Sequence, residues 1–186
     1  MRVIAGSARG RRLRCFDDLR IRPTGDRVKE AVFSSLMPRL QDSRVLDLFA
    51  GSGALGIEAL SRGAEAVVFV EMDRQACDLI IQNLKDCGWS PSTEIQVIRA
   101  DAVRWLGEQA ETGVAFDIIV ADPPYQEGFE EKIIPLISRG RLLSSDGILV
   151  LESGVRQNLP ENTDGLYLDK SKVYGDTLVS YFVKPK

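Results

Sequence analysis

Histidine is absent from all 186 residues. Without imidazole, a Ser-His-Asp or Cys-His nucleophile and any His-ligated metal are excluded, so the chemistry must run on carboxylates, backbone groups, a phenol or a bound cofactor. Cysteine is nearly as scarce. Cys15, Cys77 and Cys87 show neither the paired spacing of a zinc site nor the even count of a disulfide framework, so they read as inert thiols and no metal is expected. No apolar run approaches the roughly 18 residues of a membrane span. The start MRVIAGSARGRR also lacks the apolar stretch of a signal peptide. A soluble cytoplasmic protein is the expectation. The hydrophobic content of 44% suits a globular chain with a real core, of one domain or one domain with a small appendage.

Positive charge is unevenly spread. Residues 1–30 carry nine basic and four acidic side chains, a balance of +5, whereas the remainder stands at −8 within a total of −3. An acidic body with a basic arm fits a nucleic-acid binder, because phosphate neutralisation is local. Arginine dominates the arm, which favours bidentate phosphate contacts and stacking. Arg9, Arg11, Arg12, Arg22, Thr24 and Arg27 are the candidate contacts. Those from Arg22 to Arg27 could instead cover a cofactor.

Short apolar, β-branched runs at 45–49, 66–71, 95–98, 117–121 and 148–151 read as buried parallel strands. Helical spacing falls between them, over about 54–62, 74–87, 102–111 and 128–139. That alternation predicts an α/β, doubly wound, Rossmann-like sheet. LYLDKSKVYGDTLVSYFVK then offers two strands joined near Tyr174-Gly175-Asp176, an antiparallel hairpin added to a parallel sheet. At the other end, residues 2–16 suggest strand-turn-strand around 7–10, and a helix from about 27 to 36 should end before Pro38. The chain thus divides into a basic extension, 1–38, packed on a core domain, 39–186.

Gly51-x-Gly53-x-x-Gly56 joins the first strand to the first sheet helix, where such folds bind a nucleotide-type ligand. With Glu71 following, this is also the spacing of an NAD site. Asp47 argues otherwise, since a carboxylate there repels a pyrophosphate and welcomes the sulfonium and ammonium of S-adenosylmethionine. Gly56 then reads as a helix-packing position. Asp47-Leu48-Phe49-Ala50-Gly51-Ser52-Gly53 also resembles the D-x-F-x-G-x-G loop of class I methyltransferases. Glu71, closing the second strand, can accept both ribose hydroxyls, and Asp101, after the third, can accept from the adenine amine. With Met72 and Ala102 beside them, and Phe49 and Ser52 in the loop, these are the candidate cofactor residues.

Ala121-Asp122-Pro123-Pro124-Tyr125 ends the fourth strand on the same sheet edge as the glycine loop. Two prolines fix a rigid turn with outward carbonyls. Asp122 and the Pro123 carbonyl can accept the two N–H groups of a planar exocyclic amine while Tyr125 stacks on its ring. The tetrapeptide resembles the D/N-P-P-Y/F signature of amine methyltransferases. Arg22-Pro23-Thr24-Gly25-Asp26-Arg27-Val28-Lys29-Glu30-Ala31-Val32-Phe33 resembles a segment of the RsmD family, as do the opening residues 3–13 and the closing 172–177. The resemblance implies a seven-stranded class I methyltransferase sheet. It also implies transfer of a methyl group from S-adenosylmethionine to N2 of a guanine in 16S ribosomal RNA, naked or within an assembling or assembled small subunit. Methylation of adenine N6 or of a protein glutamine uses the same tetrapeptide. An NAD oxidoreductase and a non-catalytic ribosome-assembly module are the more distant rivals.

Overall fold

The β-branched runs lie side by side as parallel strands β1 (Arg44–Leu48), β2 (Ala66–Glu71), β3 (Ile95–Arg99), β4 (Phe116–Ala121) and β5 (Leu143–Gly154). The computed structural model describes residues 1–16, 25–109, 114–125, 127–157, 159, 162–163 and 165–185. A hairpin of β7 (Leu166–Tyr174) and β8 (Thr177–Val183) turns through Gly175 in the left-handed region, at φ 62°. Its second strand inserts between β5 and β7, antiparallel to both. The order is β3-β2-β1-β4-β5-β8-β7-β6. The seven expected strands are therefore joined at the far edge by a two-residue β6 (Asn162–Thr163).

Helices α2 (Ala54–Ser61), α3 (Arg74–Cys87), α4 (Ala102–Gln109) and α5 (Phe129–Arg139) connect the parallel strands close to the expected limits. The ends of α3 follow from its caps. Asp73 accepts the Ala76 amide at 2.9 Å, and Gly88 closes the helix in the left-handed region. Strand alternation then sorts the core into two layers. Val45, Phe69, Val120 and Val150 face one layer with α2 and α3, while Leu46, Val70, Ile119 and Leu149 face the other with α4 and α5.

Three expectations need correction. Helix α1 (Asp26–Leu40) does not stop before Pro38 but carries it inside. Leu36 and Leu40 are both fully buried on one face, and their burial offsets the hydrogen bond that proline removes near the helix end. Residues 2–16 form a hairpin shorter than expected, paired through the antiparallel bridge of Arg2 and Arg12, with the Val3 amide donating to the Arg11 carbonyl and the Leu13 amide to the Met1 carbonyl. Amides nearer the turn go elsewhere: Ile4 and Ala5 donate to Glu58, and Ser7 and Ala8 to Ser61. Strand β5 begins five residues before expectation, because Leu143 pairs with Phe116 and carries the polar Ser144-Ser145-Asp146 into the strand.

Gly56 sits where α2 crosses β2, and a Cβ there would stand 2.2 Å from the Phe69 ring. Gly107, in α4, has open space around the same position. Gly56→Ala should lower unfolding free energy by about 1–3 kcal/mol through overpacking, whereas Gly107→Ala should raise it by about 0.5–1 kcal/mol. Urea denaturation of both variants checks the pair; equal effects would contradict the packing argument.

Candidate active site

A cavity of about 620 Å³ opens at the C-terminal edge of the sheet, between the glycine loop and the β4 end. That volume lies within the usual range for small-molecule sites. Four carboxylates border it: Asp47, Glu71, Asp122 and Glu152. They come from the neighbouring strands β1, β2, β4 and β5, and period-two alternation explains their shared side. Asp47, Glu71 and Glu152 have the parity of Val45, Phe69 and Val150, which face the layer of α2 and α3.

The glycine loop is fixed by its surroundings. Phe49 takes a left-handed φ of 57°, a conformation that costs a non-glycine residue on the order of 1–3 kcal/mol. Its ring lies 5.0 Å from that of Phe129. The Gly51 amide donates to Glu71 Oε2 at 2.8 Å, and Asn83 Nδ2 donates to the Ser52 carbonyl at 2.9 Å. Gly56 N–H donates to Asp47 Oδ2 at 2.8 Å. Asp47 is 1% exposed. Burial pushes its carboxyl well above the usual carboxylate range, the Gly56 amide opposes this, and the negative Asp122 and Glu71 add to it.

On the opposite side, Asp122 and Tyr125 are half-buried and Pro123 is buried, all on the cavity wall with Pro124. The Tyr125 hydroxyl lies 3.1 Å from Thr177 Oγ1, so the C-terminal hairpin positions the ring.

The structure thus brings Asp47, Phe49, Gly51, Ser52, Glu71 and Met72 to one cavity with Asp122, Pro123, Pro124 and Tyr125. Gly53, Asp101 and Ala102 are not in its lining. Gly53 is the left-handed N-cap of α2, Asp101 Oδ1 accepts the Arg104 amide at the start of α4, and Ala102 packs in the core. Arg9, Arg11, Arg12 and Arg27 are exposed, while Arg22 and Thr24 lie outside the described residues. Among the described residues no group of His, Cys, Asp or Glu is arranged to hold a metal.

The family model described as "Conserved hypothetical protein 95" matches residues 1–183. "Ribosomal RNA small subunit methyltransferase D" of Escherichia coli (strain K12) is 37% identical over 175 residues, 94% of this chain and 85% of the relative. The chain belongs to the RsmD family. "Putative rRNA methyltransferase YlbH" of Bacillus subtilis (strain 168) is 41% identical over 184 residues, 99% of each chain. The solved Escherichia coli chain "Putative methyltransferase yhhF" superposes with a TM-score of 0.85 at 35% identity, covering 99% of this chain and 97% of that one.

In this RsmD-family chain, several cavity residues escaped the sequence reading. Met1, Phe16 and Val28 bring the N-terminal extension to the wall; Tyr174 and Thr177 bring the hairpin; Glu152 comes from β5. Only Glu152 left a local signal, a carboxylate directly after the apolar run 148–151.

Because the folded-state pKa of Asp47 is raised, the stability it contributes is present below the ordinary carboxylate value of 3.8 and is lost as pH rises through the folded value. Asp47→Asn keeps an acceptor for the Gly56 amide and removes the buried charge. The ligand-free variant should match wild type in acid and become increasingly more stable than it as pH rises. Denaturation midpoints followed upward in pH from the acid side check the sign; a wild type that gains on the variant with pH would contradict it.

Proposed function

We propose that this protein transfers the methyl group of S-adenosylmethionine to N2 of a guanine in small-subunit ribosomal RNA. The observation that carries this reading is the closure of β4 by Asp122-Pro123-Pro124-Tyr125 on the cavity edge facing the glycine loop. The small-subunit rRNA in the name of the Escherichia coli relative supports the substrate. An assembling or assembled small subunit in the cytoplasm is the proposed setting.

The residues fit this cofactor better than a dinucleotide. The Gly51 amide, which would have to receive a pyrophosphate, is already held by the Glu71 carboxylate. A phosphate over the loop would meet the Glu71 carboxylate and further disfavour a charge on Asp47, whereas a cationic ligand gains from the first and favours the second. Each Glu71 oxygen accepts one amide, from Gly51 or Asp73, and keeps a lone pair for a ribose hydroxyl. When bound, S-adenosylmethionine supplies an electrophilic methyl whose sulfur leaves as a neutral thioether.

Guanine N2 is a weak nucleophile because its lone pair is delocalised into the ring. Asp122 and the Pro123 carbonyl accept its two hydrogens and favour a pyramidal, electron-rich nitrogen. Tyr125, held by Thr177, stacks on the base. The N2–methyl bond forms as the methyl–sulfur bond breaks, and the surplus proton leaves N2 for Asp122 or water. Orientation supplies much of the acceleration. Arg9, Arg11 and Arg12 hold RNA phosphates outside the cavity.

Asp122→Ala should lower turnover by roughly 10²–10⁴-fold, the usual range for a lost proton acceptor, and leave cofactor affinity nearly unchanged. Single-turnover methylation beside calorimetry with S-adenosylmethionine measures both; wild-type turnover would end the proposal. The substrate is tested by incubating the protein with small subunits and free rRNA from cells lacking the enzyme, then mapping the label. A labelled adenine or protein would overturn the guanine reading.

The arginines are best tested by substitution, since Val3, Ala8 and Leu13 are buried in the core and truncation would unfold it. Replacing Arg9, Arg11 and Arg12 together with alanine should reduce the log–log salt slope of RNA binding by about 2–3. An unchanged slope would move the RNA surface elsewhere.

A further inference from the structure

Glu152 has no part in the scheme above, yet it is a carboxylate only 3% exposed on the wall of the same cavity. Burying a carboxylate costs several kcal/mol in real proteins, so its place calls for a reason. The sheet order gives one. Along β2-β1-β4-β5, Glu71 and Asp47 stand on the side of the glycine loop, and Glu152 stands on the far side of β4. Ala121 pairs with Leu151, so the next step in register sets Asp122 beside Glu152. Neighbouring strands are about 4.8 Å apart, which puts Glu152 one strand from Asp122 and about 14 Å, three strands, from Glu71. Glu152 therefore belongs to the base half of the cavity.

We infer that Glu152 accepts the N1–H of the target base and so selects guanine; the inference rests on the guanine-N2 reading above. Guanine presents N1–H and the N2 amine as adjacent donors on one edge. Two neighbouring acceptors, Glu152 and Asp122, complement that edge. Adenine presents the reverse beside its N6 amine, a lone pair at N1. A carboxylate facing that lone pair is repelled and loses a partner, the kind of mismatch that rejects an analogue strongly. The pair thus both holds the amine and identifies the ring that carries it.

2-Aminopurine separates these roles, because it keeps the N2 amine but has a lone pair at N1. The probe is small-subunit rRNA, free and reconstituted into subunits, with a ligated synthetic segment that places guanine or 2-aminopurine at the mapped nucleotide. Wild type should prefer guanine by at least about 10²-fold in kcat/KM. In Glu152→Gln the amide can donate to the N1 lone pair, so the preference should shrink by at least about tenfold. The missing O6 of 2-aminopurine is common to both proteins and cancels in that comparison. Calorimetry with S-adenosylmethionine shows whether the variant keeps a folded cofactor site. Equal use of both bases by wild type would overturn the inference without any variant. So would a Glu152→Gln protein that binds the cofactor normally and retains the wild-type preference. Should wild type label no guanine at all, the parent reading fails first, and that outcome is visible before the variants are compared.

Discussion

Glu58 is a carboxylate sealed inside a helix all of whose residues are buried, and the N-terminal part of the chain is arranged around it. Its oxygens accept the Ile4 amide at 2.8 Å, the Ala5 amide at 3.1 Å and Arg62 Nε at 2.7 Å, with Lys29 Nζ at 3.4 Å. Lys29 is itself fully buried and donates to the Arg2 carbonyl at 2.6 Å. Burial pushes the Lys29 ammonium below its ordinary pKa, while Glu58 pulls it back up. Breaking such a network strands a buried charge, at a cost of about 3–5 kcal/mol. Gly6 allows the close approach, since a Cβ there would stand 1.6 Å from the Ser61 carbonyl oxygen. Satisfying Glu58 therefore docks the N-terminal turn and α1 on α2. Met1, Phe16, Gly25 and Val28 become cavity wall as a consequence.

The cavity floor follows a different rule, function against folding. Asp47 pairs in register with Phe69 and Val120, which are apolar neighbours for a charge. Its one described hydrogen bond, from Gly56, does not outweigh desolvation. A cationic ligand would supply such a partner, so the proposed cofactor would stabilise the charged form that burial disfavours. The loop above needs no such help. Glu71, Asn83 and Asp47 already hold its backbone, and the left-handed Phe49 persists because these contacts over-determine it.

Much of the fold was legible because parallel strands buried on both faces read as continuous apolar runs, and α3 carries its caps in sequence as Asp73 and Gly88. What was missed depends on partners distant along the chain. The amides of Ile4, Ala5, Ser7 and Ala8 look free to extend a hairpin until Glu58 and Ser61, more than fifty residues away, take them. Pro38 is a local stop signal that Leu40 overrides by burial. In the site, the glycine loop and Asp122-Pro123-Pro124-Tyr125 stood out as short motifs with a mechanism. Thr177 and Glu152 did not, because their importance comes from the register of β5 against β4 and of β8 against β5, and from the hydroxyl contact to Tyr125.

Charge is segregated between the cavity and the N-terminal extension. The cavity carries four carboxylates, and the exposed Arg9, Arg11, Arg12 and Arg27 belong to the N-terminal extension and α1. A phosphodiester entering the cavity would meet negative charge from several strands at once in a partly desolvated space, where screening is weak. A neutral base meets acceptors matched to its own donors. On the proposed function, an RNA substrate would enter with its backbone at the arginines and its base turned out of its stack. Unstacking costs a few kcal/mol, and the phosphate contacts outside are the interactions available to offset it. On that proposal the acidic balance of the body and the basic balance of residues 1–30 would serve one binding event, since either sign extended over the whole surface would weaken it.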